Sequence, residues 1–140
     1  MTSDGALAEL SAYTLARGDA AFIHQHVVDA GTAQSATEAT KPIAITFALA
    51  GLYLHVEKDF TGREVQQAHM KMARQRRAWP ALLLPADRGA MAAETVLAAA
   101  PGPARDAAIH AWAREVWRAF RESRETIVAL LEELAIAPRA

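Results

Sequence analysis

PIAITFALAGLYLHVE, residues 42–57, is the stretch on which the fold turns: it carries no charged side chain before Glu57. Wound as a helix, it is apolar almost all the way round, the mark of an element buried on every side. Its nearly uncharged part, Pro42 to Val56, is about 15 residues long, short of the ~20 needed to cross a bilayer. It therefore reads as the central helix of a soluble bundle. Thr40, followed closely by Pro42, opens it.

The flanking sequence reads as helices that cover this core. A first helix runs from about Ala6 to Ala16, with Asp4 as its cap and Gly18 as its stop. Asp19 caps a second, about Ala20 to Ser35, and the polar stretch Thr37 to Thr40 is a loop. Thr61-Gly62-Arg63-Glu64 is a capping box, in which the hydroxyl accepts a first-turn N–H and the carboxylate reaches back. It starts a fourth helix that ends near Arg77. Trp79-Pro80 and Pro85 to Gly89 are loop, and a short helix covers Met91 to Ala99. After Pro101-Gly102-Pro103 a long last helix reaches Leu134. Its apolar stripe is Ile109, Trp112, Val116, Phe120, Ile127, Leu130 and Leu134.

Composition agrees. The chain has 140 residues, of which 34 are alanine, about a quarter, against six prolines and seven glycines. Such a chain favours closely packed helices over strands, which prefer β-branched and aromatic residues. The length suits a single domain spanning 1–140, burying roughly two-thirds of its unfolded surface. The expectation is an all-α bundle of four to five main helices with a long C-terminal helix. A net charge of −1 argues against a broad grip on nucleic acid or an anionic membrane. The absence of cysteine excludes disulfides, thiolate metal sites and cysteine nucleophiles. Met1 to Gly5 lacks the basic and apolar blocks of a signal peptide, which points to a cytoplasmic protein.

Chemistry, if there is any, rests with the five histidines. At about 100° per residue, His24 shares the apolar face of the second helix with Ile23, Val27, Val28 and Gly31. His26 then turns the opposite way, beside Phe22, Asp29 and Ala33. His55 lies over Ala44, Ala48 and Gly51, small residues that admit a neighbouring helix. His69 sits among Val65, Met72 and Ala73. Alternating helix directions bring His24, His55 and His69 to one end of the bundle. Three imidazoles with an open position suit a divalent metal ion that activates water for hydrolysis or group transfer. Each histidine alone is better explained as a satisfied core residue, and His110 cannot be placed. Asp29 pairs locally with His26 or is simply hydrogen-bonded. Lys71, Arg74, Arg76 and Arg77 either bind phosphate or oppose the helix dipole. Trp112, Val116 and Phe120 read as core.

Several blocks also resemble an uncharacterised bacterial helical family, a domain of unknown function. They are Ile23 to Gln34; Phe47 to Lys58 with its Gly-Leu-Tyr-Leu-His-Val-Glu; Thr61 to Val65 with His69; Trp79-Pro80; and Trp112 to Trp117. The resemblance spans about residues 10–120 and implies a helical domain with no established activity. Its polar motif falls on His24, Asp29, Gln34, His55, Glu57 and His69, which makes Asp29, Gln34 and Glu57 candidate ligand-binding residues. Two positions depart from the pattern: Gly31 replaces a tyrosine, and Ser35 replaces a histidine.

The leading expectation is thus a polar histidine pocket taking a divalent metal ion, with His24, His55 and His69 as ligands, or a small molecule. The rival is a non-catalytic interaction protein, a homodimer whose last helix offers Ile127, Leu130, Leu131 and Leu134 to its partner.

Overall fold

The computed structural model describes residues 3–136 and contains seven α-helices, with no strand among the described residues. They are α1 (Ser3–Arg17), α2 (His24–Ser35), α3 (Pro42–Lys58), α4 (Gly62–Ala73), α5 (Ala93–Ala98), α6 (Pro103–Ala119) and α7 (Arg124–Glu133). A 3-10 turn, Arg121–Ser123, joins the last two. As its apolar sequence requires, α3 is the hub, packed against α2, α4, α6 and α7. Its Leu49, Leu52 and Leu54 are fully buried. α1 lies over α2 and α5. No helix among the described residues is long and apolar enough to cross a membrane.

Three expectations need correction. The second helix begins at His24 rather than Ala20, because Phe22 adopts a left-handed φ of 55° and breaks the chain there. Ile23 takes the cap position in place of Asp19, with no side-chain cap bond, while the Asp19 carboxylate accepts from the Ile23 N–H just ahead of the helix at 3.0 Å. The fourth helix stops at Ala73 rather than near Arg77. The long last helix is two: the backbone turns at Phe120, with φ −96° and ψ 21°. A straight helix from Pro103 to Leu134 would extend about 48 Å and carry its far end past the core. The turn instead lays α7 along α3. Ile127, Leu130 and Leu131 are buried within the chain, and Leu134 packs against the same core. The stripe needs no second chain to cover it.

The connection between α1 and α2 is fixed by α4. The Ala21 carbonyl accepts the Arg63 N–H at 3.2 Å, using a donor that the start of α4 leaves unsatisfied. Gly62 is what permits this approach, since a Cβ there would stand 1.8 Å from the Phe22 carbonyl oxygen. Asp19 and Ile23 are thereby held beside the end of α3. The capping box at Thr61 forms as expected, with bonds of 3.2 and 3.0 Å.

Candidate functional site

Three histidines do meet, but they are His26, His55 and His110. α2 supplies His26 from its first turn, α3 supplies His55 from its last, and α6 supplies His110 from its middle. The rings of His26 and His55 stack, with centroids 3.5 Å apart and planes inclined by 16°. His110 Nδ1 lies 3.0 Å from His55 Nε2, and its ring centroid is 5.9 Å from that of His26.

The hydrogen bonds determine the proton positions. His55 Nδ1 is 3.1 Å from the Phe60 carbonyl; a carbonyl only accepts, so Nδ1 carries the hydrogen. In neutral His55, Nε2 is then an acceptor, and His110 must donate to it from Nδ1. That leaves His110 Nε2 as a second acceptor. Neutrality follows from the surroundings. Burial, with the neighbouring His55 and His110, pushes His26 down to about 3. Burial pushes His55 down to about 4, against the pull of the Phe60 carbonyl. His110 is lowered too, first by burial and then by Arg114. Two stacked cations would repel in a medium that screens poorly, whereas two neutral imidazoles stack without that cost.

The three rings share one pocket of about 330 Å³, open to solvent. Its wall also includes Asp19, Asp59 and Asp106, the apolar Ala21, Ile23 and Phe60, and Arg17. Arg17 is already engaged, donating to Asp106 and, at 3.0 Å, to the Tyr13 hydroxyl. His26 Nδ1 and Asp19 Oδ1 are enclosed and have no hydrogen-bond partner.

Of the histidines expected from sequence, only His55 is in this group. His24 Nδ1 lies 2.9 Å from the Thr14 hydroxyl, on the side of α1. His69 donates from Nε2 to the Phe47 carbonyl at 2.7 Å, and burial lowers its pKa. Both follow the plain reading of a hydrogen-bonded histidine, and both stand apart from the pocket. The interior face of α2 is His26, Val27, Asp29, Ala30, Gly31 and Ala33, while Val28 is 38% exposed. Three-and-four spacing was the available signal for His26, but its inward face is built from alanines and polar residues. His110 sits in mid-α6, three residues before buried Ala113, with buried Ile109 and Trp112 as the apolar markers beside it.

Asp29, Gln34 and Glu57 serve the fold. Asp29 is buried, and Gln25 donates to its Oδ1 at 3.1 Å. Burial raises its carboxyl well above the ordinary value. Its Oδ2 rests against Gly51, where a Cβ would stand only 2.0 Å away. Gln34 accepts from the Trp112 indole at 3.0 Å and donates to the carbonyls of Arg88 and Met91. Glu57 accepts from the Trp117 indole at 2.8 Å and from Arg124 at 2.8 and 2.6 Å. Among the described residues, no three His, Asp or Glu side chains are arranged to hold one metal ion.

No curated protein and no solved structure matches the chain. A family of unknown function, DUF5946, matches residues 4–121. That span takes in α1 to α6 and all three pocket histidines, and the chain belongs to this family.

Proposed function

We propose that the protein is a binding module for a small polar molecule, held in the His26–His55–His110 pocket. The observation that carries this is the meeting of three neutral imidazoles from three helices on one solvent-open cavity. Clustered, perturbed titratable groups in a cleft mark functional sites. Their low pKa values favour binding over base catalysis. At pH 7 a group with a pKa near 4 is protonated about one time in a thousand, far from the near-neutral value that suits a general base. Such imidazoles are permanent hydrogen-bond partners, and weak proton acceptors.

The test follows the histidine ring nitrogens by NMR while acetate, inorganic phosphate, glycerol and 1,4-diaminobutane are added in turn. At least one probe should move the signals of His26, His55 and His110 and leave those of His24 and His69 in place. Failure of every probe to do so overturns the reading.

A divalent transition-metal ion is a second reading, favoured by the His55–His110 approach. Two imidazole ligands of a tetrahedral ion, each bound at 2.0–2.1 Å, stand about 3.3–3.4 Å apart. The present separation is 3.0 Å. The protein ligands would be His55 and His110 alone, in place of the His24, His55 and His69 set, since no third His, Asp or Glu among the described residues is arranged to join them. Titration with Co²⁺ should then give visible absorption that disappears in His110→Ala. A colourless titration removes this reading.

A further inference from the structure

We infer that the ligand of this pocket is a small organic cation bearing N–H donors, a primary alkylammonium. The inference rests on the binding-module reading and deepens it. The wall has many acceptors and few available donors. Three aspartates, Asp19, Asp59 and Asp106, face a single arginine. That arginine already donates to Asp106 and Tyr13. With the imidazoles neutral, the lining is net negative. Arg114 stands close enough to act on His55 and His110 but is not part of the wall.

The hydrogen-bond inventory points the same way. The tautomer chain from Phe60 through His55 leaves His110 Nε2 as an acceptor. Asp19 Oδ1 is a second acceptor with no partner. An ammonium brings three donors and no acceptor, which is what such a wall lacks. An anion would meet three carboxylates, with only the His26 ring N–H and the Thr61 hydroxyl left as donors to offset them. Ala21, Ile23 and Phe60 supply apolar surface for the alkyl stem. A bare metal ion would satisfy the charge but leave most of the 330 Å³ without a partner.

The experiment is calorimetric titration of the full chain with 1,4-diaminobutane, inorganic phosphate, glycerol and Zn²⁺, with the histidine ring shifts read in parallel. The diamine should bind saturably and move the His110 signals, and phosphate should not bind. Asp19→Asn with Asp59→Asn removes two charges while keeping an acceptor at each place. Asparagine also tolerates the left-handed backbone of Asp59, where φ is 59°. This variant should keep its melting temperature and bind the diamine about tenfold more weakly or worse. Binding of phosphate or glycerol in place of the diamine overturns the cation and leaves the pocket reading standing. Binding of Zn²⁺ alone overturns the organic ligand in favour of a metal. If no probe moves the three histidines, the pocket reading falls, and this inference with it. Unchanged diamine affinity in the double variant also overturns it.

Discussion

At the scale of the residue, Asp29 and Gly51 show how a polar group shapes the helix opposite. The Asp29 carboxyl occupies the space a side chain at residue 51 would need, 2.0 Å from where its Cβ would be. Gly51→Ala should therefore cost about 2–3 kcal/mol in urea unfolding, the usual scale of overpacking in a tight core. Asp29→Ala in the same chain should recover much of that loss; a purely additive double variant would show that the clash is not with the carboxylate. This pair also explains why part of the site was illegible in the sequence. Hydrophobicity places the interior of α2 on Val27 and Val28, yet His26 and Asp29 take that interior with small alanines beside them. A face whose buried members are histidine, aspartate, glycine and alanine, with Val27 as its single large apolar residue, has a weak hydrophobic signature. His55 was legible because its helix is buried along most of its length, from Ile45 to Leu54, and leaves it little choice of surroundings.

At the scale of the element, the hub helix, the capping box at Thr61 and the all-α class were readable because each rests on local chemistry. The break at Phe120 was not. Nothing in Arg121-Glu122-Ser123 forbids a helix, and the turn exists because α7 gains more by lying on α3 than by continuing α6. Phe120 and Ser123 are themselves buried at that corner. Glu57 ties the three helices there, through the Trp117 indole and Arg124. The two bonds differ in worth. Trp117 is only 5% exposed, so losing its acceptor leaves a buried N–H unsatisfied, at about 1–2 kcal/mol. The Arg124 pair is solvent-exposed and screened, and contributes little. Glu57→Ala should accordingly lower the urea midpoint clearly more than Arg124→Ala does. Equal losses would show that the ion pair, and not the indole, dominates. The residues between α4 and α5 are a second case. They are held by Gln34 and by Arg88, which donates to the carbonyls of Ala33 and Gln34 at 3.0 and 3.2 Å. Arg88→Ala should make residues 74–92 the first site of limited proteolysis, with the helical content unchanged; an unaltered cleavage pattern would count against this tether.

At the scale of the whole molecule, the buried histidines and the buried aspartate impose opposite pH dependences. A histidine that is neutral when folded takes up a proton on unfolding at any pH below its ordinary value of 6.5. The stability due to His26 and His55 is thus fully present above pH 6.5 and is lost as pH falls toward their folded values of about 3 and 4. His69 and His110, also lowered, add in the same direction. Asp29 works the other way. Its folded carboxyl titrates well above 3.8, so it releases a proton on unfolding at any pH between the two values. Its contribution is full below about pH 3.8 and declines as pH rises toward the folded value. Each group tilts the curve by about 1.4 kcal/mol per pH unit inside its window. Between pH 4.5 and 6.5 the histidines outnumber the aspartate and stability climbs. Above pH 6.5 the histidines no longer contribute, and Asp29 lowers stability only while its folded carboxyl stays protonated. Unfolding free energy, measured in urea with a chelator present, should therefore climb up to about pH 6.5 and stop climbing beyond it. Asp29→Asn keeps an acceptor for Gln25 and cannot ionise, so it should flatten the alkaline limb and leave the acid limb as steep as before. A wild-type curve that keeps rising through pH 8, or an Asp29→Asn curve with the same alkaline slope, would mean that the carboxyl is already ionised in the core.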